Sequence, residues 1–318
     1  MIGANKQFDF VGKRKLFIIL SLVIMGFGLL FNLIFGVELD VSFKGGTLFK
    51  FGYQGELEQS TVEKFVDSKL NQSAEVEVVP SASGTNVINV YLTDEMTLQQ
   101  MDTFKADMIK EYSANKLEGL ITNSLSSSMS QLFFVKCLVA VALAALFLMI
   151  YVAFRFRRIG GWSAGAMALL ALLHDMLIAY FTFVIFRIPL DDNFVAVLLS
   201  ILGFSLNDTI VIYDRIRENR RTMDSKISIA EITNLSINQS FGRTFNTSLC
   251  TFAAIATVAV VALITGMESI ISFALPMMFG IISGFYSTTF LCAPLWVCLA
   301  ERKEHKKASK KKSSKKKA

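Results

Sequence analysis

The chain has 318 residues, 53% of them hydrophobic and 18% charged, with a net charge of +6. That balance excludes an ordinary soluble domain and points to a membrane protein. The positive excess sits in residues 301–318, where nine Lys and Arg302 face only Glu301 and Glu304; the other residues sum to −2, which excludes a basic nucleic-acid-binding body.

In chain order, six apolar segments are long enough to cross a bilayer, which takes about 20 residues. They lie at 16–35, 132–154, 162–186, 193–213, 244–264 and 269–299, the last overlong and expected to tilt or to bend near Pro276. Lys13-Arg14-Lys15 precedes the first, but its apolar run exceeds a signal core and no small-residue cleavage site follows, so it reads as an uncleaved helix. Basic residues set the orientation. Lys13 to Lys15, then Arg155, Arg157 and Arg158, then the run 215–226 and the tail share one side, which places both termini in the cytoplasm. The expected division is therefore 1–35, terminus and first helix; 36–131, an outside domain; 132–299, five helices with a polar, helical cytoplasmic loop at 214–243; and 300–318, the tail. Cys137, Cys250, Cys292 and Cys298 fall in apolar segments and read as small packing residues, with no disulfide framework and no metal-ligand spacing.

The outside domain carries fourteen acidic residues against seven Lys. Strand-like runs at 47–53, 75–79, 86–92 and 118–125 alternate with helical runs at 58–70 and 98–112, and Pro-Ser-Ala-Ser-Gly marks the turn between the middle strands. This βαββαβ order predicts an α+β, ferredoxin-like sandwich. It contains no His, no Cys and no nucleotide-binding loop, which favours a docking or moving part over an enzyme. Ser228-Ile-Ala-Glu231 matches a capping box at a helix start in the cytoplasmic loop. The Lys-rich tail suits an anionic lipid surface rather than a nucleic acid.

Polar groups inside the apolar segments are the candidate functional residues. Asn207 and Asp208 interrupt the fourth segment well before it ends. A carboxylate at that depth costs about 2.5–3.5 kcal/mol, so it must face protein or water. At helical spacing Ile201, Ser205, Asp208, Ile212 and Arg215 form one stripe, which predicts a bundle-facing side. Two readings of Asp208 follow: a protonatable relay group, or a structural ion pair with Arg215. His174-Asp175 in the third segment has two readings as well, a contribution to a proton path or a satisfied interhelical hydrogen-bond pair. Gly280-x-x-x-Gly284 permits close helix contact, and Lys136 is placed to snorkel. No second His and no Cys lies at ligand spacing, so neither a metal nor a cofactor is expected.

Several of these stretches together resemble the SecF branch of the SecD/SecF family of bacterial protein export, within the resistance-nodulation-division superfamily. They are Gly203-Phe-Ser-Leu-Asn-Asp-Thr-Ile-Val-Ile-Tyr-Asp-Arg-Ile-Arg-Glu-Asn219, Asn234-Leu-Ser-Ile-Asn-Gln-Ser-Phe-Gly-Arg-Thr244, Gly280-Ile-Ile-Ser-Gly-Phe-Tyr-Ser287 with Ala293-Pro294-Leu295, His174-Asp175, and Phe43-Lys-Gly-Gly-Thr47. In order, they span nearly the whole chain. The resemblance implies a polytopic subunit of the bacterial cytoplasmic membrane. It would act with SecD, the SecYEG channel and YajC to draw preproteins outward at the expense of the proton motive force. It implies Asp208 as the proton-binding carboxylate and Arg243 as its counterpart on the fifth helix. Where the family has an acidic residue directly before the Phe of Phe-x-Gly-Gly, this chain has Ser42, with Asp40 two places earlier. Gly45-Gly46 reads as a sharp turn at the foot of the domain. The competing expectation is a self-contained exporter of lipids or small hydrophobic solutes. A half-length chain speaks against it, because such transporters are built from paired repeats. A third reading is a passive scaffold that only stabilises the channel. A hydrolase lacks any nucleophile–base pair or His-Glu-x-x-His motif.

Overall fold

A long apolar run can satisfy its backbone away from water only by coiling on itself, so the apolar segments fold as helices. The computed structural model describes residues 8–70, 74–79, 86–224, 226–265 and 267–302. Helix α1 (Arg14–Phe35) leads through the short α2 (Val41–Lys44) into β1 (Gly46–Tyr53), α3 (Gln59–Leu70), β2 (Ala74–Val79), β3 (Asn86–Leu92), α4 (Leu98–Glu111) and β4 (Glu118–Leu125). There follow α5 (Ser127–Arg155), α6 (Gly161–Ile185), α7 (Asp192–Thr222), α8 (Ile229–Thr265) and α9 (Glu268–Tyr286). The last helix passes through a π-helical stretch, Ser287–Cys292, before α-helix resumes over 293–302. Among the described residues six helices are long and apolar enough to cross a membrane.

Helices α6 and α7 hold the centre of the bundle, with Ala164, Ala168, Ala171 and Ala179 of α6 and Val197, Ile201 and Leu202 of α7 all buried. By contrast α1, α5 and α8 expose apolar side chains such as Leu22, Val23, Phe147, Val260 and Leu263, as a lipid-facing surface would.

The four strands form one antiparallel sheet in the order β2-β3-β1-β4. Alternation along the strands sends Phe49, Phe51, Ile88 and Val90 to one face, where Val62 and Val66 of α3 and Phe104 and Met108 of α4 cover them. The opposite face presents Lys50, Asn89 and Tyr91 to a cleft of about 520 Å³, walled on its far side by Arg187, Asp191 and Ser272 at the near end of the bundle.

The foot of the domain is fixed by backbone. Gly45 and Gly46 have φ of 83° and 110°, in the left-handed region that favours glycine. A Cβ on Gly46 would stand 2.3 Å from the Leu92 carbonyl oxygen. Asp40 caps α2, accepting from the Ser42 N–H at 3.0 Å and the Ser42 hydroxyl at 2.9 Å. Leu39 and Leu190 form a parallel β-bridge between this foot and the α6–α7 connection. The Asp40 N–H donates to the Leu190 carbonyl at 3.0 Å, and the Leu190 N–H to the Glu38 carbonyl at 2.9 Å. An Arg187–Glu38 ion pair closes the same junction.

Several boundaries differ from the sequence reading. The stretch 214–243 is helical over most of its length, as expected, but it continues the neighbouring spans: α7 runs on to Thr222 and α8 begins at Ile229, so only a few residues connect them. Charged side chains end the apolar run there, but no Gly or Pro ends the helix. The Ser228–Glu231 capping box closes as expected, with Glu231 N–H to Ser228 Oγ and Ser228 N–H to Glu231 Oε2, both 3.2 Å. Residues 127–131, assigned to the domain, already belong to α5. Pro276 lies inside α9, and the departure from α-geometry comes later, at 287–292. The Pro-Ser-Ala-Ser-Gly turn and residues 303–318 of the tail lie outside the described residues.

Burial raises the Asp191 carboxyl above the usual range, and the Asp40 carboxylate adds to this against hydrogen bonds from Asn193 and Ser272. A carboxyl raised in this way contributes stability that is complete below its unfolded value and is lost as pH rises through the folded one. Acidification from neutral pH should therefore firm the junction. Hydrogen exchange at the Asp40 and Leu190 amides, corrected for intrinsic rates, should slow toward acidic pH. Asp191→Asn, which keeps a helix-capping side chain, should remove that dependence.

Candidate functional site

The close packing of three helices builds the site. Gly280 and Gly284 lie one turn apart on α9 against α7, where a Cβ would fall 2.2 Å from Ile201 Cδ1 and 3.2 Å from Ser205 Cβ respectively. Their bare faces let α9 approach, and the next serines on the last helix, Ser283 and Ser287, reach the carboxylate of Asp175 on α6. Ser283 Oγ donates to Asp175 Oδ1 at 2.6 Å; Ser287 Oγ and Ser205 Oγ of α7 both donate to Oδ2 at 2.7 Å. His174 Nδ1 stands 3.2 Å from Oδ1. Asp175 is fully buried at 0% exposure, deeper than Asp208 at 2%.

Asp208 lies one turn beyond Ser205 on α7. It accepts a hydrogen bond from Ser248 Oγ of α8 at 3.2 Å. Between the two carboxylates runs a band of hydroxyls: Thr209 Oγ1 and Thr288 Oγ1 are 3.1 Å apart, and each donates to the Ser205 carbonyl, at 3.1 and 3.3 Å. Two buried acids on adjacent helices thus share one hydroxyl-lined interior. Such an interior can solvate a charge and reorganise when a proton arrives.

The other candidates fall differently. Arg215 does not pair with Asp208. Its Nη1 bonds Glu218 at 2.6 Å and its Nε bonds Gln239 at 2.7 Å, at the helix end away from the domain. The structural ion-pair reading of Asp208 therefore fails, because one turn closer Glu218 competes for the guanidinium. Arg243 is exposed on α8 and forms no ion pair with Asp208, although its charge acts on that carboxylate. Asn207 and Arg243 both line a cavity of about 780 Å³ at that same end, together with Arg215, Arg217 and Arg221; Asp208 itself does not line it. The serines around the acids were not legible as a group, since serine is also an ordinary packing residue in membrane helices; the one signal was the spacing of Ser283 and Ser287 beside the two glycines.

Residues 104–302, including both acids and the hydroxyl band, match the family model described as protein export membrane protein SecD/SecF, C-terminal. The chain belongs to the SecD/SecF family. It is 31% identical over 305 residues to the protein translocase subunit SecF of Thermobaculum terrenum, covering 91% of this chain and 93% of that one. The SecF subunit of Petrotoga mobilis is 30% identical over 302 residues, covering 93% and 97%. The Bacillus subtilis subunit SecDF is 29% identical, and there the match covers 92% of this chain but 38% of the relative. A crystal structure of SecDF from Thermus, described as a translocon-associated membrane protein, superposes with a TM-score of 0.80 at 23% identity over 95% of this chain and 40% of that one. The super-membrane-facing form of SecDF gives 0.64 at 26% identity, over 98% and 41%. The chain therefore spans about two fifths of the solved SecDF chains and nearly the full length of the SecF relatives. His174, Asp175, Asp208, Arg243, Gly280 and Gly284 all lie within the SecD/SecF match, whereas Gly45 and Gly46 precede it.

Proposed function

We propose that this chain is the SecF-type subunit of a bacterial protein translocase, which with a SecD partner uses the proton motive force to complete preprotein export. The observation that carries this reading is Asp208, an acid buried between α7 and α8 with a single serine donor. In a membrane bundle such a group is costly, and its presence despite that cost points to ion movement. Gain or loss of a proton there changes the charge that Ser248 and the nearby Arg243 experience, and so biases the packing of α7 against α8. In this reading both termini are cytoplasmic in the bacterial cytoplasmic membrane, and the acidic domain stands outside. The Lys-rich tail rests on anionic lipid, and SecYEG, YajC and the preprotein are the further partners. The chain carries out no covalent chemistry of its own. A self-contained exporter of lipids or hydrophobic solutes is not favoured, since the relatives described above are named as translocase subunits.

The test is export of a preprotein into inverted vesicles that hold this chain with its SecD partner, with proton and sodium gradients imposed separately. Late export should accelerate with the proton gradient alone. Acceleration by sodium alone, or equal rates with no gradient, would overturn the reading.

A further inference from the structure

The Asp175 centre does more than tie helices together. Asp175 has two oxygens and room for about four donors, and four groups surround it: Ser205, Ser283, Ser287 and His174 Nδ1. That set solvates an ionised carboxylate, with no Lys or Arg among its hydrogen-bond or ion-pair partners in the described residues. Two of the donors also have a second partner waiting. Ser287 Oγ is 3.3 Å from the Gly284 carbonyl oxygen, and Ser283 Oγ is 3.3 Å from His174 Nδ1. A serine hydroxyl turns freely about its C–O bond, so both can leave the carboxylate without being orphaned. The site is thus built for two states of the same acid. In one, the serines point at a charged Asp175. In the other, Asp175 carries a proton, Ser287 turns to Gly284, and Ser283 turns to the Nδ1 lone pair of a neutral His174.

We propose that Asp175 and His174 form a second proton-holding pair in the bundle, whose state the last helix reads through Ser283 and Ser287. A proton taken up at His174 Nε2 makes the imidazolium; the proton on Nδ1 then moves to Asp175 Oδ1, one N–H bond giving way to one O–H bond, so that a neutral Nε2–H imidazole faces a neutral acid and the pair has gained one proton. The imidazole is the less enclosed member, its side chain 11% exposed against 0% for Asp175, and its Nε2, itself buried, has no hydrogen-bond partner among the described residues. That unpartnered nitrogen is the position of the pair left open to take up a proton. The readout is local, because Ser287 opens the π-helical stretch, and π-turns within α-helices concentrate at functional sites. The titratable groups around the pair are Tyr286 of α9, whose ring lies 6.1 Å from that of His174, Cys292 at the end of the π-stretch, and Asp208 beyond the Ser205–Thr209 turn; among the described residues α1 and α5 bring Asp175 no ionic or hydrogen-bonding partner.

This inference rests on the reading of the bundle as proton-driven, but its test records protonation rather than export. The chain in complex with its SecD partner is reconstituted in lipid, and infrared difference spectra of the carboxyl C=O stretch are collected while pH is stepped from about 8 to about 5. Besides any band from Asp191 at the junction, wild type should show two buried-carboxyl bands that respond to substitution inside the bundle. Asp208→Asn should remove one and leave the other; Asp175→Asn should remove the second. Ser287→Ala, which keeps the acid and serves if Asp175→Asn does not fold, should shift the midpoint of the second band by about one pH unit. An Asp175-dependent band that is missing, or that disappears when sodium is added at constant pH, overturns the proposal. If Asp208→Asn removes a band and stops export while Asp175→Asn and Ser287→Ala change no band, the motor reading stands and the second site falls.

Discussion

Asn in place of Asp208 should cut the gradient-dependent part of export about fiftyfold while leaving the complex assembled. The substitution keeps the shape of the side chain and an oxygen that can accept from Ser248, and removes only ionisation. At 2% exposure the loss of a buried charge relieves a desolvation cost, so unfolding temperature should hold or rise. The size of the functional loss follows from the work at stake. One charge moved through 100 mV is worth about 2.3 kcal/mol, and about 1.4 kcal/mol is tenfold in a rate, so the gradient-dependent rate should fall about fiftyfold. Export measured in energised vesicles decides it, with Asp208→Glu as the rescue. An Asn variant that still responds to the gradient like wild type would reduce this subunit to a scaffold.

The second large effect is expected at Gly46. Any side chain there is strained by φ of 110° and drives its Cβ to 2.3 Å from the backbone oxygen of Leu92, which cannot swing aside as a side chain would. Strain at such a position costs about 1–3 kcal/mol, and each ladder hydrogen bond lost as β1 parts from β3 costs about 1 kcal/mol more. Gly46→Ala should therefore destabilise the sheet domain by about 3 kcal/mol, seen as faster proteolysis of residues 46–125 in the intact chain. Gly203→Ala is the matched control. Nothing lies within 4 Å of a Cβ at Gly203, so the change should be neutral or slightly stabilising. Equal behaviour of the two variants would mean that the junction does not constrain the domain.

The sequence disclosed the spans and the α+β domain because both rest on periodicity and apolar length, which survive without tertiary information. It showed 214–243 as helical yet set apart from the spans, because hydropathy marks bilayer depth, whereas helices stop at breakers, and 214–222 contains none. Asp208 stood out as a charge in an apolar run. The partnership of Arg215 did not, because spacing on one helix cannot show that Glu218 and Gln239 are nearer competitors. Asp175 was visible as a polar residue but not as a hub. Its serines come from α7 and from the last helix and meet it only because Gly280 and Gly284 let that helix close in. The π-stretch at Ser287–Cys292 has no compositional signature, and Pro276 drew attention to the wrong turn.

The β-bridge between Leu39 and Leu190 has a mechanical corollary. Two backbone hydrogen bonds and the Arg187–Glu38 pair tie the foot of the domain to the crown of the α6–α7 pair without an intervening slack linker. A tilt of those two helices is therefore expected to carry the sheet with it, as a turning spindle carries a pointer.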